Sequence, residues 1–565
     1  MTTAASNSAS AKRMTTYEAL AHEIKRRGIE AVFGLMSDDT ALFISTLDSL
    51  GVRFYGARHE NMGIAMAEGY ASASGRMGVA ITGRGPAMAN GLHGAVYAQR
   101  TGSRVLLIFG AAATNAGPDL KDLDALGVMR AAGMRTFMVT HPDTACDVLG
   151  DAIAATDKGC AVMLLPVNVQ FDHLSTQASA ALAAAGPRPA APEPARKSAR
   201  PSALQAAAAL LGASRRPLII AGRGAHLSGA REAILALAER TGAIVGTSLK
   251  GKDMFRDYPY NVGVCGSLSH RAGRRYMDQA DCIVAFGAGM NNRTTSNGLG
   301  LPLDAALIHI ELEPSRLSRW SQADVAVIAD AKRAAEQLLE LMPQRPAADK
   351  PFYTEEVRRD LTTYDLSSEF QLANTPRTMD PRMLGIELDR LLPRDRNTVY
   401  DAGNFMQVQT YVSAPGPGCV KNAADFASVG MSFGTAMGFA VGAHERPTVL
   451  FIGDGGFLMT MGELETVVRE DIPLVIVLMN DCAYGAEVHY LKERSAPVNL
   501  AVFPDVDYAP VAEAFGFEAH TVRTFEELRA LAPLLAKPEG PILLDCKITA
   551  SVVAPFILEA AHKEK

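Results

Sequence analysis

The chain has 565 residues, 48% hydrophobic and 21% charged, which excludes a disordered or fibrous protein and, at roughly 150 residues per domain, a single small module. Sixty-one acidic against fifty-five basic residues leave a net charge of −6, without the basic stripe that a nucleic-acid binder needs. Aromatic residues amount to 6%, tryptophan occurs once and glycine 49 times, so the cores are built from Ala, Val, Leu and Ile, and the glycines go to turns or to places where backbone meets a ligand.

Residues 1–14, small and polar with no apolar run, read as a frayed terminus and not as a signal peptide. No apolar stretch approaches the about 18 residues of a membrane span. Cys146, Cys160, Cys265, Cys282, Cys419, Cys482 and Cys546 are scattered without a CxxC pair, which fits a reducing cytoplasm and gives no zinc motif. Along the chain, short apolar runs end in glycine or polar residues: RVLLIFGA from Arg104, AVMLLPVNV from Ala161, PLIIAGRG from Pro217, CIVAFGAG from Cys282, TVLFIGDGG from Thr448 and LVIVLMND from Leu474. Interleaved with Ala-rich stretches of helical period, they read as buried parallel strands. Two Pro/Ala-rich segments, 175–203 and 343–352, read as linkers. The expected architecture is α/β, three doubly wound parallel-sheet domains at 15–185, 200–345 and 375–545, followed by a tail, 546–565.

In such sheets ligands sit beyond the carboxyl ends of the strands. Gly453-Asp454-Gly455-Gly456 follows one run and Asn480-Asp481-Cys482-Ala483-Tyr484-Gly485 the next. The glycines let backbone N–H groups approach an anion, and two carboxylates from neighbouring strand ends suit Mg²⁺ held with a phosphate. This GDG and downstream ND resemble the signature of the thiamine diphosphate enzymes. The resemblance implies thiamine diphosphate and Mg²⁺ as cofactors, with Asp454, Asp481 and the Ala483 carbonyl as metal ligands and Gly455, Gly456, Tyr484 and Gly485 at the cofactor. It makes the first domain pyrimidine-binding, the central domain Rossmann-like and the third diphosphate-binding.

In the first domain, the helix start at Arg58-His59-Glu60 looks like the family's segment in which a glutamate donates to the aminopyrimidine; Glu60 is that residue, and Glu68 the better candidate for a solvated helix glutamate. Gly85 and Asn90, in GRGPAMANG, resemble the loop beside the pyrimidine, where Arg84 departs from the usual small residue. Gly403 and Asn404 match the first diphosphate-side loop. Val429, or failing that Met431, takes the place of the side chain that props the cofactor. The central domain has glycine-rich strand ends at Ala221-Gly222-Arg223-Gly224 and Gly287-Ala288-Gly289, and Glu311 ends another strand; in relatives such a domain binds FAD, ADP or nothing, and if a nucleotide binds here the resemblance favours ADP over FAD.

Among thiamine reactions, residues 118–124 lack the histidine pair of pyruvate decarboxylases, and the one tryptophan, Trp320, lies far from the position acetolactate synthases use. The layout looks most like the 2-hydroxyacyl-CoA lyase and oxalyl-CoA decarboxylase branch. That branch implies an acyl-CoA substrate, contacted by Arg271 and Asn291, a tail that closes over the site, and a homodimer or homotetramer whose active sites combine Glu60 of one subunit with Asp454 of another. Cleaving a 2-hydroxyacyl thioester to formyl-CoA and a ketone or aldehyde requires a base for the 2-hydroxyl. Glu487, His489, Tyr490 and Glu493 are the ionisable residues after the metal loop; Glu493 is favoured over Glu487. The expected activity is therefore lyase chemistry, with 2-hydroxyisobutyryl-CoA giving formyl-CoA and acetone as the specific case. An acetolactate synthase-like or oxalyl-CoA decarboxylase-like enzyme is the alternative, and a nucleotide-binding oxidoreductase without thiamine a further one.

Overall fold

The computed structural model describes residues 13–115, 117, 119–188, 196–302, 304–343, 351–423 and 425–563. The N-terminal residues 1–12 and the middles of both expected linkers, 189–195 and 344–350, lie outside the described residues.

The apolar runs pair into three six-stranded sheets, parallel throughout. The first holds β1 (Ala31–Gly34), β2 (Arg53–Gly56), β3 (Gly78–Thr82), β4 (Val105–Ala111), β5 (Arg135–Met138) and β6 (Ala161–Pro166), in the order β2-β1-β3-β4-β6-β5. The second holds β7 (Pro217–Ala221), β8 (Ile244–Thr247), β9 (Asn261–Val264), β10 (Cys282–Phe286), β11 (Ala306–Glu311) and β12 (Val325–Ile328), in the order β12-β11-β10-β7-β8-β9. The third holds β13 (Asn397–Tyr400), β14 (Val420–Asn422), β15 (Thr448–Gly453), β16 (Leu474–Asn480), β17 (Glu518–Val522) and β18 (Ile542–Lys547), in the order β14-β13-β15-β16-β18-β17. The outer domains thus share one strand order, and the central one has the Rossmann order. The six runs recognised in the sequence are β4, β6, β7, β10, β15 and β16, all central in their sheets except β6, which is next to an edge. The edge strands β2 and β5 are only partly buried, and a strand with one wet face carries no continuous apolar run.

The first linker is not all extended. Ser175 caps a helix at Thr176–Ala184, its side chain accepting from the Ala178 N–H at 3.2 Å, because an alanine run has high helix propensity once its first turn is capped. After the second linker, Phe352 and Val357 pack into the apolar cluster of Leu218 and Ile220 on the central sheet. Among the described residues no helix is long and apolar enough to cross a membrane.

What joins the outer domains is a pair of helices, α1 (Glu60–Ser74) and α2 (Met431–Gly442). A Cβ on Gly434 would lie 2.8 Å from the Met62 carbonyl oxygen, one on Gly438 1.8 Å from that of Met66, and one on Gly442 2.9 Å from that of Tyr70. From the other side, a Cβ on Gly69 would meet the Thr435 carbonyl oxygen at 2.0 Å. The two residue series rise together, so the helices run parallel with their backbones in contact, and Glu60 and Met431 start at the same end. Beside them Lys421 pairs with Glu68, whose carboxylate is fully buried. Glu68 is therefore an interdomain ion-pair partner and not a solvated helix residue. Burial works to raise its pKa, and Lys421, Ser103 and Ser72 overcome this and hold it below the usual carboxylate range. Gly438→Ala is expected to cost about 3 kcal/mol, the upper end for overpacking a rigid contact, since the obstructing atom is backbone; the urea midpoint measures it.

Candidate active site

Strands β13, β15 and β16 are neighbours, with Tyr400 paired to Phe451 and Gly453 to Met479. The residues that leave their carboxyl ends, Asp401, Asp454 and Asp481, therefore gather at one edge, as two-strand adjacency requires for Asp454 and Asp481. Asp454 opens a short helix, α3 (Asp454–Thr460), and is 2% exposed. Burial raises its carboxyl to about 6, although the N–H groups of Gly455 and Ala483 favour its charged form. Asp481 is pushed further, to about 8, by burial and then by the Asp454 charge beside it. Two carboxyls this close retain a proton between them at neutral pH unless a cation replaces it. The donor set of two carboxylates, with the Ala483 carbonyl in the next loop, is oxygen-only and fits Mg²⁺, which keeps waters and shares phosphate ligands.

The loop is fixed by backbone. Cys482 adopts a left-handed φ of 56°, the Phe503 N–H donates to its carbonyl at 2.7 Å, and the Tyr484 N–H donates to the Ala501 carbonyl at 2.9 Å. A Cβ on Gly455 would meet the Tyr484 ring at 2.5 Å, and one on Gly456 would meet Asp401 Oδ2 at 2.5 Å. Gly456 also faces Val429 Cγ1. Val429 is 39% exposed there, whereas Met431 is 1% exposed within the helix pair. Asp401, which the sequence reading passed over, accepts from the Gly430 N–H at 2.8 Å, and burial pushes it up to about 6. Its signal was available: it is the first residue after a strand, like Asp454 and Asp481.

Glu60 is the first residue of α1 and is buried, with Asn90 Nδ2 donating to its Oε2 at 3.2 Å. The N–H groups of Arg58 and His59 just before it both donate, at 3.0 Å, to Glu463, on the helix α4 (Glu463–Arg469) that follows the metal loop. Sequence reading missed Glu463, since its partners Arg58 and His59 lie some four hundred residues away in the chain; burial raises its pKa against the hydrogen bonds it accepts. His93 Nε2 and Ser428 Oγ are also bonded across the domains. Gly85, at a left-handed φ of 57°, has the Lys121 carbonyl where a Cβ would stand, 2.2 Å away. Arg84 beside it pairs with Asp119 at 2.6 Å, and its N–H donates to Asp39 at 3.1 Å. Asp38 pairs with Lys121 at 2.6 Å. Asp38 and Asp39, in the turn after β1, were missed too, although they follow a strand end.

The helix α5 (Gly485–Glu493) leaves the Asp481 loop directly. Gly485 packs on Asp481 and Asn404. Positions four apart share a helix face, so His489 and then Glu493 continue the stripe that Gly485 begins, while Glu487 lies off it. Glu487 and Glu493 are both exposed and His489 is 4% exposed. The tail folds back here. Asn404 Nδ2 donates to the Val552 carbonyl at 2.7 Å, and the Ala554 N–H donates to Asn404 Oδ1 at 2.8 Å, so this side chain is taken by the tail. Gly403 precedes it at the end of the β13 loop. Strand β18 extends through Lys547; beyond it the tail helix α6 (Pro555–Lys563) reaches the central domain, Ser267 bonding Glu559 and the Arg293 guanidinium lying 4.5 Å over the Phe556 ring.

In the central domain, Arg271 is bound to Glu369, donating to its carbonyl at 2.9 Å, and Asn291 Oδ1 accepts from the N–H groups of Arg293 and Thr294 at 3.0 and 3.1 Å. A Cβ on Gly222 would stand 2.3 Å from the Gly287 carbonyl oxygen and one on Gly224 2.8 Å from the Gly287 Cα, so these glycines serve the packing of two loops on each other.

Three parallel sheets, a carboxylate pair at adjacent strand ends of the third and a buried glutamate opening a helix of the first are the features of a thiamine-dependent enzyme. The chain belongs to the thiamine pyrophosphate enzymes: it matches the N-terminal TPP binding domain over residues 14–126, the central domain over 204–338 and the C-terminal TPP binding domain over 401–546. It is 26% identical to a probable acetolactate synthase large subunit of Methanocaldococcus jannaschii, over 96% of this chain and 93% of that protein. It is 27% identical to a probable sulfoacetaldehyde acetyltransferase of Rhizobium meliloti (93% and 91% covered) and 28% identical to a probable 2-ketoarginine decarboxylase of Pseudomonas aeruginosa (92% and 91%).

Proposed function

We propose that the chain is a thiamine diphosphate- and Mg²⁺-dependent carbon–carbon lyase that cleaves a 2-hydroxyacyl-CoA, 2-hydroxyisobutyryl-CoA in the first instance, to formyl-CoA and a ketone or aldehyde, here acetone. The observation that supports it best is the stripe on α5, which leads from the Asp481 loop to Glu493 and so carries an acid–base group along the helix that leaves that loop. Decarboxylation needs no base to begin, whereas cleavage beside a 2-hydroxyl does. The tail supports it as well, since it joins α5 to the central domain and offers a cover for a long thioester.

Bound thiamine diphosphate would supply the nucleophilic carbon that polarises the bond to be broken. Asp454, Asp481 and the Ala483 carbonyl would hold Mg²⁺ and through it the diphosphate; Gly455 and Gly456 keep room for the backbone to reach it. Glu60, oriented by Asn90, would hold the proton shared with the aminopyrimidine, and Glu493 would be the base for the hydroxyl. ADP forms no part of this proposal, because the glycines that pointed to it close on one another. Assembly does: in a homodimer or homotetramer, Glu60 of one copy would serve the metal loop of another, and Leu458 and Met459 on α3, 45% and 58% exposed, give such a partner an apolar face beside the loop.

A second reading, a 2-oxo acid synthase or decarboxylase, is favoured by two of the relatives named above, the probable acetolactate synthase and the probable 2-ketoarginine decarboxylase. The two separate in one assay. With thiamine diphosphate and Mg²⁺, a panel of 2-hydroxyacyl-CoAs is expected to yield formyl-CoA and the matching carbonyl product without CO₂; CO₂ from 2-oxo acids with no formyl-CoA would establish the second reading instead.

A further inference from the structure

Strand β18 lies beside β16, with Asp545 paired to Leu478 and Lys547 to Asn480. Residues two apart share a face of a strand and paired neighbours share it too, so Asn480, Asp545 and Lys547 stand on one face at the carboxyl edge of the third sheet. They are 2%, 0% and 1% exposed. Buried charges are costly unless they are paired and hydrogen-bonded, and these are. Lys547 Nζ has the Asp545 and Asp505 carboxylates at 3.1 Å and that of Asp507 at 3.3 Å, and donates to the Val506 carbonyl at 2.5 Å. Arg523 takes Asp505 at 3.1 Å and Asp507 at 2.8 Å, and Arg377 takes Asp505 at 3.0 Å. Three carboxylates meet three cations, so the cluster is balanced in charge and acts on its surroundings through geometry.

That geometry converges on Asn480. Asp545 Oδ2 accepts from the Tyr508 N–H at 2.8 Å, and its Oδ1 accepts from Asn480 Nδ2 at 2.8 Å. A carboxylate can only accept, so the amide nitrogen of Asn480 must face Asp545 and its oxygen must face away. There Asn480 Oδ1 accepts from the Cys482 N–H at 3.2 Å. Both ends of the amide are thus engaged within the protein. What the second bond fixes is Cys482, at a left-handed φ of 56°, which a residue with a Cβ adopts only at a cost. Cys482 lies between Asp481 and Ala483, and its φ sets the direction in which the chain leaves Asp481. The Phe503 N–H on the Cys482 carbonyl and the bridge from Ala483 to Val502 hold the far side of this loop, and Asn480 holds the near side. We infer that Asn480 is a positioning residue for the cation: backed by Asp545 and Lys547, it keeps Cys482 left-handed and so sets Asp481 and the Ala483 carbonyl against Asp454. The inference rests on the assignment of those three groups to Mg²⁺.

Isothermal titration of Mg²⁺ into the full-length protein, with thiamine diphosphate present, tests this without turnover. Asn480→Ala is expected to raise the Mg²⁺ Kd at least tenfold. Adding Cys482→Gly to that variant is expected to regain at least threefold, because glycine takes the left-handed φ without a side-chain anchor. A rise of less than tenfold overturns the inference. So does a smaller regain, since a loss of packing alone would not respond to residue 482. If Asn480→Ala does not fold, Asp545→Asn takes its place. Its amide keeps the shape of the carboxylate but must turn its NH₂ toward Asn480 Nδ2 or the Tyr508 N–H, both donors, so a Kd raised at least threefold is expected and a smaller change overturns the inference. Asp481→Asn in the same titration judges the metal assignment separately. Wild-type affinity there defeats that assignment and the inference together, whereas a weakened Asp481→Asn beside an unaffected Asn480→Ala defeats the inference alone.

Discussion

Glu60→Gln is expected to lower kcat by about 1000-fold, within the about 10²–10⁴ range for a positioned proton-transfer group, while thiamine diphosphate and Mg²⁺ still bind. Glutamine keeps the size of the side chain and an oxygen for Asn90 Nδ2, so the start of α1 and its contacts with Glu463 survive. It cannot supply the acidic proton. The Asp454 and Asp481 loop is on the other domain, so cofactor affinity by isothermal titration should change little. A turnover within tenfold of wild type would remove Glu60 from the reaction.

The second large effect concerns the carboxyl pair. Both groups have folded pKa values above the ordinary aspartate value, about 6 for Asp454 and about 8 for Asp481. The stability of the protein without metal is therefore complete below the unfolded carboxylate pKa and declines as pH rises through about 6 and then about 8. Mg²⁺ replaces the shared proton, so its stabilising effect grows with pH. At a free concentration 100-fold above Kd it adds about 2.7 kcal/mol, several degrees in Tm, at pH 8.5, and markedly less at pH 5.5. Asp481→Asn removes the repulsion: it is expected to stabilise the metal-free protein at pH 8.5 and to weaken Mg²⁺ at least tenfold. Scanning calorimetry at the two pH values reads both, and a Mg²⁺ shift independent of pH would show that the pair is not the site.

The glycine count illustrates how far sequence reading reached. Glycines at strand ends were expected to admit ligands, and Gly455 and Gly456 stand where that reading put them. Yet Gly434, Gly438, Gly442 and Gly69 bring two helix backbones together across domains, and Gly222, Gly224 and Gly287 bring two loops together. A missing Cβ marks close approach in either case, and the sequence does not say what approaches. The same holds for carboxylates. Asp454 and Asp481 were legible because a known spacing flanks them, whereas Asp401, Glu463 and Glu68 are buried for reasons that only their partners from distant segments, Gly430, His59 and Lys421, disclose.

By itself the sequence determined the parallel α/β class and the family, because buried strands need continuous apolar runs and the cofactor chemistry needs particular groups at their ends, and it put forward Asp454, Asp481 and Glu60 as candidates for that chemistry. The tertiary structure decided what depends on orientation: that α1 and α2 run parallel and start together, that Val429 faces Gly456 while Met431 is enclosed, that the tail takes Asn404, and that His489 continues the face of Gly485 while Glu487 does not. Those are relations between separate segments of the chain or between faces of one helix, and they are fixed by packing.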